Sequence, residues 1–273
     1  MYENYVATQY DLDTLQEGIS YVWKSELDFI FKDRTKLESV RAVSFDSKNI
    51  FIFQFGKDTI TIPHNIKLTD DVQYGWQSNL GLKDLLDYLP ENLKNTTRSE
   101  VPIISGPLVT PMSKLQDNSI YNTKESYLAT IVHEFAHIYF NEHEIGWFSN
   151  KENNIEIMES AINLYKGDKE VTKSNVQNLQ IHIPHHISLG EIFSFCVDYS
   201  AASIFWPNHK MDIDKSNIKI LNYYKGEENK LDFDQEASYF EQDSHIAASA
   251  IGKIILEKYP MEWKNKLLQP FII

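Results

Sequence analysis

The spacing of apolar positions changes character along the chain. From Leu12 to Lys32, Leu15, Ile19, Val22, Trp23 and Leu27 recur three to four residues apart or side by side, with charged residues between them, which predicts a helix over 12–32. The runs Val40–Phe45, Ile50–Phe55 and Thr59–Ile62 are short and rich in β-branched and aromatic residues. Asp46-Ser47-Lys48-Asn49 and Gly56-Lys57-Asp58 separate them as turns, so a three-stranded meander is expected, closed by Pro63. Leu82–Leu89 reads as a short helix stopped by Pro90, and Val101–Val109 as one more strand.

The second half is patterned for helices at Asn122–Glu144, Asn154–Tyr165, Ser188–Phe205 and Ser244–Tyr259, with stops at Gly146, Gly167, Trp206-Pro207 and Pro260. The polar stretches 166–180 and 207–230 read as surface loops. The expected class is α+β, with an N-terminal mixed β-sheet lobe, a C-terminal helical lobe and the 122–144 helix at their seam. At 273 residues this is expected to be one domain, with sub-lobes at about 1–145 and 146–273.

Composition narrows the function. Acids outnumber bases 39 to 26, a net charge of -13, which speaks against a nucleic-acid partner, since such binders displace counterions with a basic surface. No apolar run approaches the ~20 residues of a membrane span. Met1–Gly18 carries no apolar core of a signal peptide, which fits a cytoplasmic protein or a mature exported form lacking its leader. Cys196 is the sole cysteine, so intrachain disulfides and a four-cysteine zinc site are excluded.

The chemistry concentrates at His133-Glu134-Phe135-Ala136-His137, an HExxH pattern expected by chance roughly 0.02 times in a chain of this composition. On a helix, His133 and His137 lie one turn apart on one face and can bind one metal ion. Glu134 lies about 100° round from His133, within reach of a water on the metal without being a ligand. The rest of this helix is almost wholly apolar, which makes it a buried helix. Ser126, Thr130, His133, His137 and Asn141 form its one polar stripe, and Asn122 with Glu125 reads as a capping box.

The ten residues Thr130-Ile131-Val132-His133-Glu134-Phe135-Ala136-His137-Ile138-Tyr139 resemble the extended signature of the zincin metallopeptidases. That resemblance implies a zincin-like fold, a Zn2+ cofactor and hydrolysis of peptide bonds in a peptide or protein substrate, with a metal-bound water activated by Glu134.

A catalytic zinc takes a third protein ligand, and two routes are open. Gly190-Glu191-Ile192-Phe193-Ser194-Phe195-Cys196-Val197-Asp198 is similar to the glutamate helix of the gluzincins, which makes Glu191 the expected ligand beside His133 and His137. Glu191, Ser194 and Asp198 form the only polar stripe of that helix, and Asp198 could orient a ligand histidine. Ser188-Leu189-Gly190-Glu191 also reads as a capping box, which would give Glu191 a purely structural role. The other route is His143, at the metzincin spacing ten residues after His133, although Phe140 stands where that pattern has the glycine that turns the chain. Tyr239, His245, His185 and His186 are the candidates for stabilising an oxyanion. Two other classes remain open, a catalytically idle zincin-like binding module and a dedicated regulatory protease with one partner.

Overall fold

The computed structural model describes residues 6–65, 90–91, 123–143 and 185–225, together with 249, 252–257, 259–260 and 262–264. The expected elements at 82–89, 101–109 and 154–165, the residues Tyr239 and His245, and the loop at 166–180 lie outside them. Among the described residues the fold is mixed α+β, and no helix is long and apolar enough to cross a membrane. The chain groups into two compact units, Met1–Tyr139 and Phe140–Ile273, described in turn.

The first unit opens with helix α1 (Gln9–Val22), started by a reciprocal capping box between Thr8 and Asp11. The sequence predicts a helix to Lys32, but α1 ends at Val22 and Lys24 turns extended, with ψ of 139°. The freed carbonyls find another partner: the Arg34 guanidinium donates to Val22 O (2.8 Å) and Lys24 O (3.1 Å). It also holds Asp28 at 2.6 Å. A capped helix end with satisfied carbonyls is stable, and two 3₁₀ turns, Ser25–Leu27 and Thr35–Leu37, carry the chain onward.

The expected meander is present as β1 (Arg41–Phe45), β2 (Asn49–Gln54) and β3 (Ile60–Pro63), antiparallel in the order β1-β2-β3. Phe45 faces Ile50 across the first turn, and Asn49 faces Pro63 in the second pairing. Ile50 to Phe53 are buried in succession, as a central strand covered on both faces requires, whereas β3 is an exposed edge. Gly56 takes the left-handed φ of 69° that its turn demands.

Asp46 is fully buried in the first turn. Its Oδ1 accepts from the amides of Lys48 and Asn49, both at 2.7 Å, and its Oδ2 from the amide of Ala7 at 2.8 Å. One carboxylate thus shapes the hairpin and ties the approach to α1 onto it.

Helix α2 (Lys124–His143) packs along α1. Lys124 meets Glu17, Ile131 lies against Gly18, and Phe135 meets Trp23 with ring centroids 5.9 Å apart. Trp23 also stacks on Phe55 at 4.1 Å, and Tyr139 meets Phe31 edge-on at 5.2 Å. The Asn122–Glu125 pair read from the sequence involves Asn122, which lies outside the described residues. Thr123 Oγ1 accepts from the Ser126 amide (3.1 Å) and Ser126 Oγ accepts from the Thr123 amide (3.3 Å), a box shifted by one residue.

In the second unit, α3 (His185–Phe205) and α4 (Pro207–Lys225) follow each other with only Trp206 between them. The sequence reads 207–230 as a loop, but 207–225 is helical. Pro207 both ends α3 and occupies the first position of α4, where its fixed φ and missing N–H cost nothing. Buried Asn217 accepts from Ser249 Oγ at 2.7 Å, and Lys253 reaches Asp214 at 2.6 Å. Residues 252–257 are helical, and Gly252 lies against Cys196 and Ile192 of α3.

Candidate metal centre

α2 carries the HExxH residues as a buried helix. Leu128, Ala129, Ile131, Val132, Phe135, Ala136, Ile138, Tyr139 and Phe140 are all buried, which leaves the polar stripe to be satisfied locally. Its first turns manage this within the helix: Ser126 sits in the cap and Thr130 Oγ1 donates back to Ser126 O at 2.9 Å. The stripe then reaches the histidines. His133 is 7% exposed and His137 partly exposed. Their rings meet at 73°, and the two Nε2 atoms lie 3.1 Å apart. In a hydrogen bond between two ring nitrogens one must donate and the other accept.

That spacing has a second meaning. A tetrahedral zinc with Zn–N bonds of about 2.0–2.1 Å holds its ligand atoms roughly 3.3 Å apart. The two imidazoles therefore already present their ε-nitrogens at about the separation of one edge of such a tetrahedron. Glu134, which follows His133 directly, is partly exposed.

Glu191 stands on α3, 3% exposed. The helix begins at His185 and not at Ser188, so Glu191 is the seventh helical residue. A capping box places its acid at the third, so Ser188 and Glu191 do not form one. One atom from each of His133, His137 and Glu191 lies within 4.8 Å of the others, a group able to hold a metal ion. Two imidazoles and a carboxylate are a donor set that suits zinc.

His143 is the last residue of the same unbroken helix. The chain does not turn at Phe140, and six residues of regular helix put position 143 about 240° round from position 137. Phe140 is instead buried and packs on Phe193 of α3, with ring centroids 5.1 Å apart. His185 and His186 are backbone members of α3's first turn. Asp198 has His209 of α4 beside it, Oδ1 to Nε2 3.8 Å.

Sequence reasoning missed the Thr123–Ser126 box and the anchoring of Phe140. The first was signalled by two hydroxyl residues three apart at the helix start. The second had no signal, because an aromatic in a helix does not name its partner.

Compared with known protein families, curated proteins and solved structures, the chain matches none.

Proposed function

We propose that this protein is a zinc-dependent metallopeptidase of gluzincin type on a zincin-like fold, with His133, His137 and Glu191 as the metal ligands. The observation that carries the reading is the 3.1 Å approach of the two ε-nitrogens on the helix that also bears Glu134. The proximity of Glu191 to that pair favours it over His143 as third ligand.

When bound, the zinc supplies Lewis acidity, polarising the scissile carbonyl and acidifying a water. The protein's own residues do the rest. His133 and His137 hold the ion through neutral rings, with the proton of each on Nδ1. Glu134 accepts the proton of the attacking water and returns it to the leaving amine. The apolar flank of α2, from Ile131 to Phe140, keeps bulk water from the buried side, which strengthens each polar interaction at the site.

The test is digestion of a denatured proteome by the purified protein, with new termini counted by mass spectrometry and bound zinc measured in the same sample. Many cleavages are expected, abolished by a chelator. Glu134→Gln should retain zinc and lose about 10²–10⁴-fold in rate. A single cleaved protein would point to a dedicated regulatory protease, and zinc held with no cleavage at all to an idle binding module. Wild-type turnover in Glu134→Gln would remove the role given to that residue.

A further inference from the structure

Helix α3 carries serines in three environments. Ser200 Oγ donates to Cys196 O at 2.6 Å, and Ser203 Oγ donates to Tyr199 O at 2.7 Å, the ordinary bond from a helical serine to the carbonyl one turn back. Ser194 is fully buried, yet among the described residues its hydroxyl has no hydrogen-bond partner, that carbonyl included. A buried hydroxyl without a partner costs about 1–3 kcal/mol and calls for an explanation. The back-bond is sterically available to any helical serine, so its absence here is a matter of what stands around Ser194.

Position supplies the explanation. Ser194 follows Glu191 by three residues, about 60° from it around the helix and one turn along, so the two side chains share a face. Asp198 continues that face, and among the described residues its buried Oδ1 likewise has no hydrogen bond. A carboxylate that gives one oxygen to a metal keeps a second oxygen, and in a buried site the orientation of the ligand depends on a donor to that oxygen. A serine hydroxyl is one rotatable donor.

We propose that Ser194 is the positioning residue of the metal centre. Its hydroxyl is held in reserve to donate to the second oxygen of Glu191 when the first binds the ion. The inference rests on the reading of Glu191 as third ligand. It gives the polar stripe of α3 a division of labour, with Glu191 for the metal, Ser194 for the carboxylate and Asp198 for His209.

Two accounts of Ser194 predict opposite signs. If the hydroxyl is only a misplaced core group, Ser194→Ala removes an unsatisfied donor, leaving the metal-free protein as stable or more so and zinc affinity untouched. If it positions Glu191, the same variant leaves metal-free stability no lower but weakens zinc binding.

The experiment measures zinc affinity against a competing chelator for wild type, Ser194→Ala, Glu191→Ala and the double variant. Thermal unfolding of each metal-free protein and the visible absorption of each cobalt(II)-loaded form are recorded alongside. Ser194→Ala should weaken zinc by about 10–100-fold and shift the cobalt spectrum, with metal-free unfolding not lowered. In the Glu191→Ala background it should have no further effect, because the carboxylate it serves is gone. Unchanged affinity in Ser194→Ala, or an equal loss with and without Glu191, would overturn the proposal. The ligand reading fails by a different sign: wild-type affinity retained in Glu191→Ala would overturn it and the role of Ser194 together.

Discussion

The Cys196 thiol illustrates how environment, at the scale of a residue, decides reactivity. It is wholly buried on α3, and burial pushes its pKa far above the ordinary thiol range because no cation stabilises the thiolate. Among the described residues its Sγ makes one weak polar contact, to Gly252 O at 3.5 Å. Cys196 is therefore a small packing residue. Thiol reagents should leave the native protein unmodified and label it rapidly once denatured, as intact mass with and without urea will report. Fast labelling of the native form would mean that α3 opens easily. Arg34 makes the complementary case, where one side chain with several donors ends a helix that apolar spacing alone would continue.

At the scale of elements, the site depends on where helices stop and how closely they approach. An added Cβ at Gly18 would sit 2.3 Å from Ile131 Cδ1 and 3.1 Å from its Cβ, so a side chain there would force Ile131 of α2 to shift. Gly18→Ala should destabilise by about 1–3 kcal/mol, read as a lower denaturation midpoint. Adding Ile131→Val, which deletes Cδ1, should recover part of the loss.

The continuity of α2 through Phe140 yields the companion prediction. Glu191→Ala should weaken zinc by much more than the roughly 10–100-fold of an indirect change, while His143→Ala should leave affinity near wild type. The reverse result, with both variants shown folded by circular dichroism, would mean that the chain turns at Phe140 and that the metzincin arrangement holds.

For the molecule as a whole, the question is what acid does to a protein of net charge -13. Among the described residues most carboxylates are exposed and contribute little individually. Asp214 differs, since it gathers Lys210 and Lys253 at 2.6 Å and the Tyr199 hydroxyl at 2.9 Å, joining α3, α4 and the 252–257 helix. Burial alone would raise its pKa, but these three donors outweigh burial and lower it from 3.8 to about 2. A depressed carboxylate stabilises the fold at every pH above its unfolded value, and that stabilisation fades as pH falls through the folded one. The shift corresponds to about 2 kcal/mol. Asp214→Asn should therefore lower the unfolding free energy by about that amount at pH 7. The gap between variant and wild type should close between about pH 4 and pH 2. Urea denaturation across that range measures it, and a gap independent of pH would remove the electrostatic explanation.

The sequence by itself determined what depends on neighbours along the chain. The three strands were legible because alternation and turn residues act over a few positions, and β1, β2 and β3 lie where they read. The buried character of α2 and α3 was legible because each has a single polar stripe, and the HExxH spacing alone placed two imidazoles on one face. What depends on partners distant in sequence was not legible. The end of α1 is set by Arg34, twelve residues beyond Val22. α4 was hidden because its apolar positions are sparse and Asp214, which binds Lys253 of the 252–257 helix, reads as a surface charge. Asp46 looked like a turn residue, yet it also binds the Ala7 amide 39 residues away. The third ligand belongs to the same group: spacing offered both Glu191 and His143, and a capping box offered a rival use for Glu191. That α2 runs on past Phe140 was legible, since nothing breaks the pattern before Gly146, but only the tertiary structure decided that α3 begins early enough to rule out the cap, because a carboxylate's neighbours are fixed by packing, which no local pattern contains.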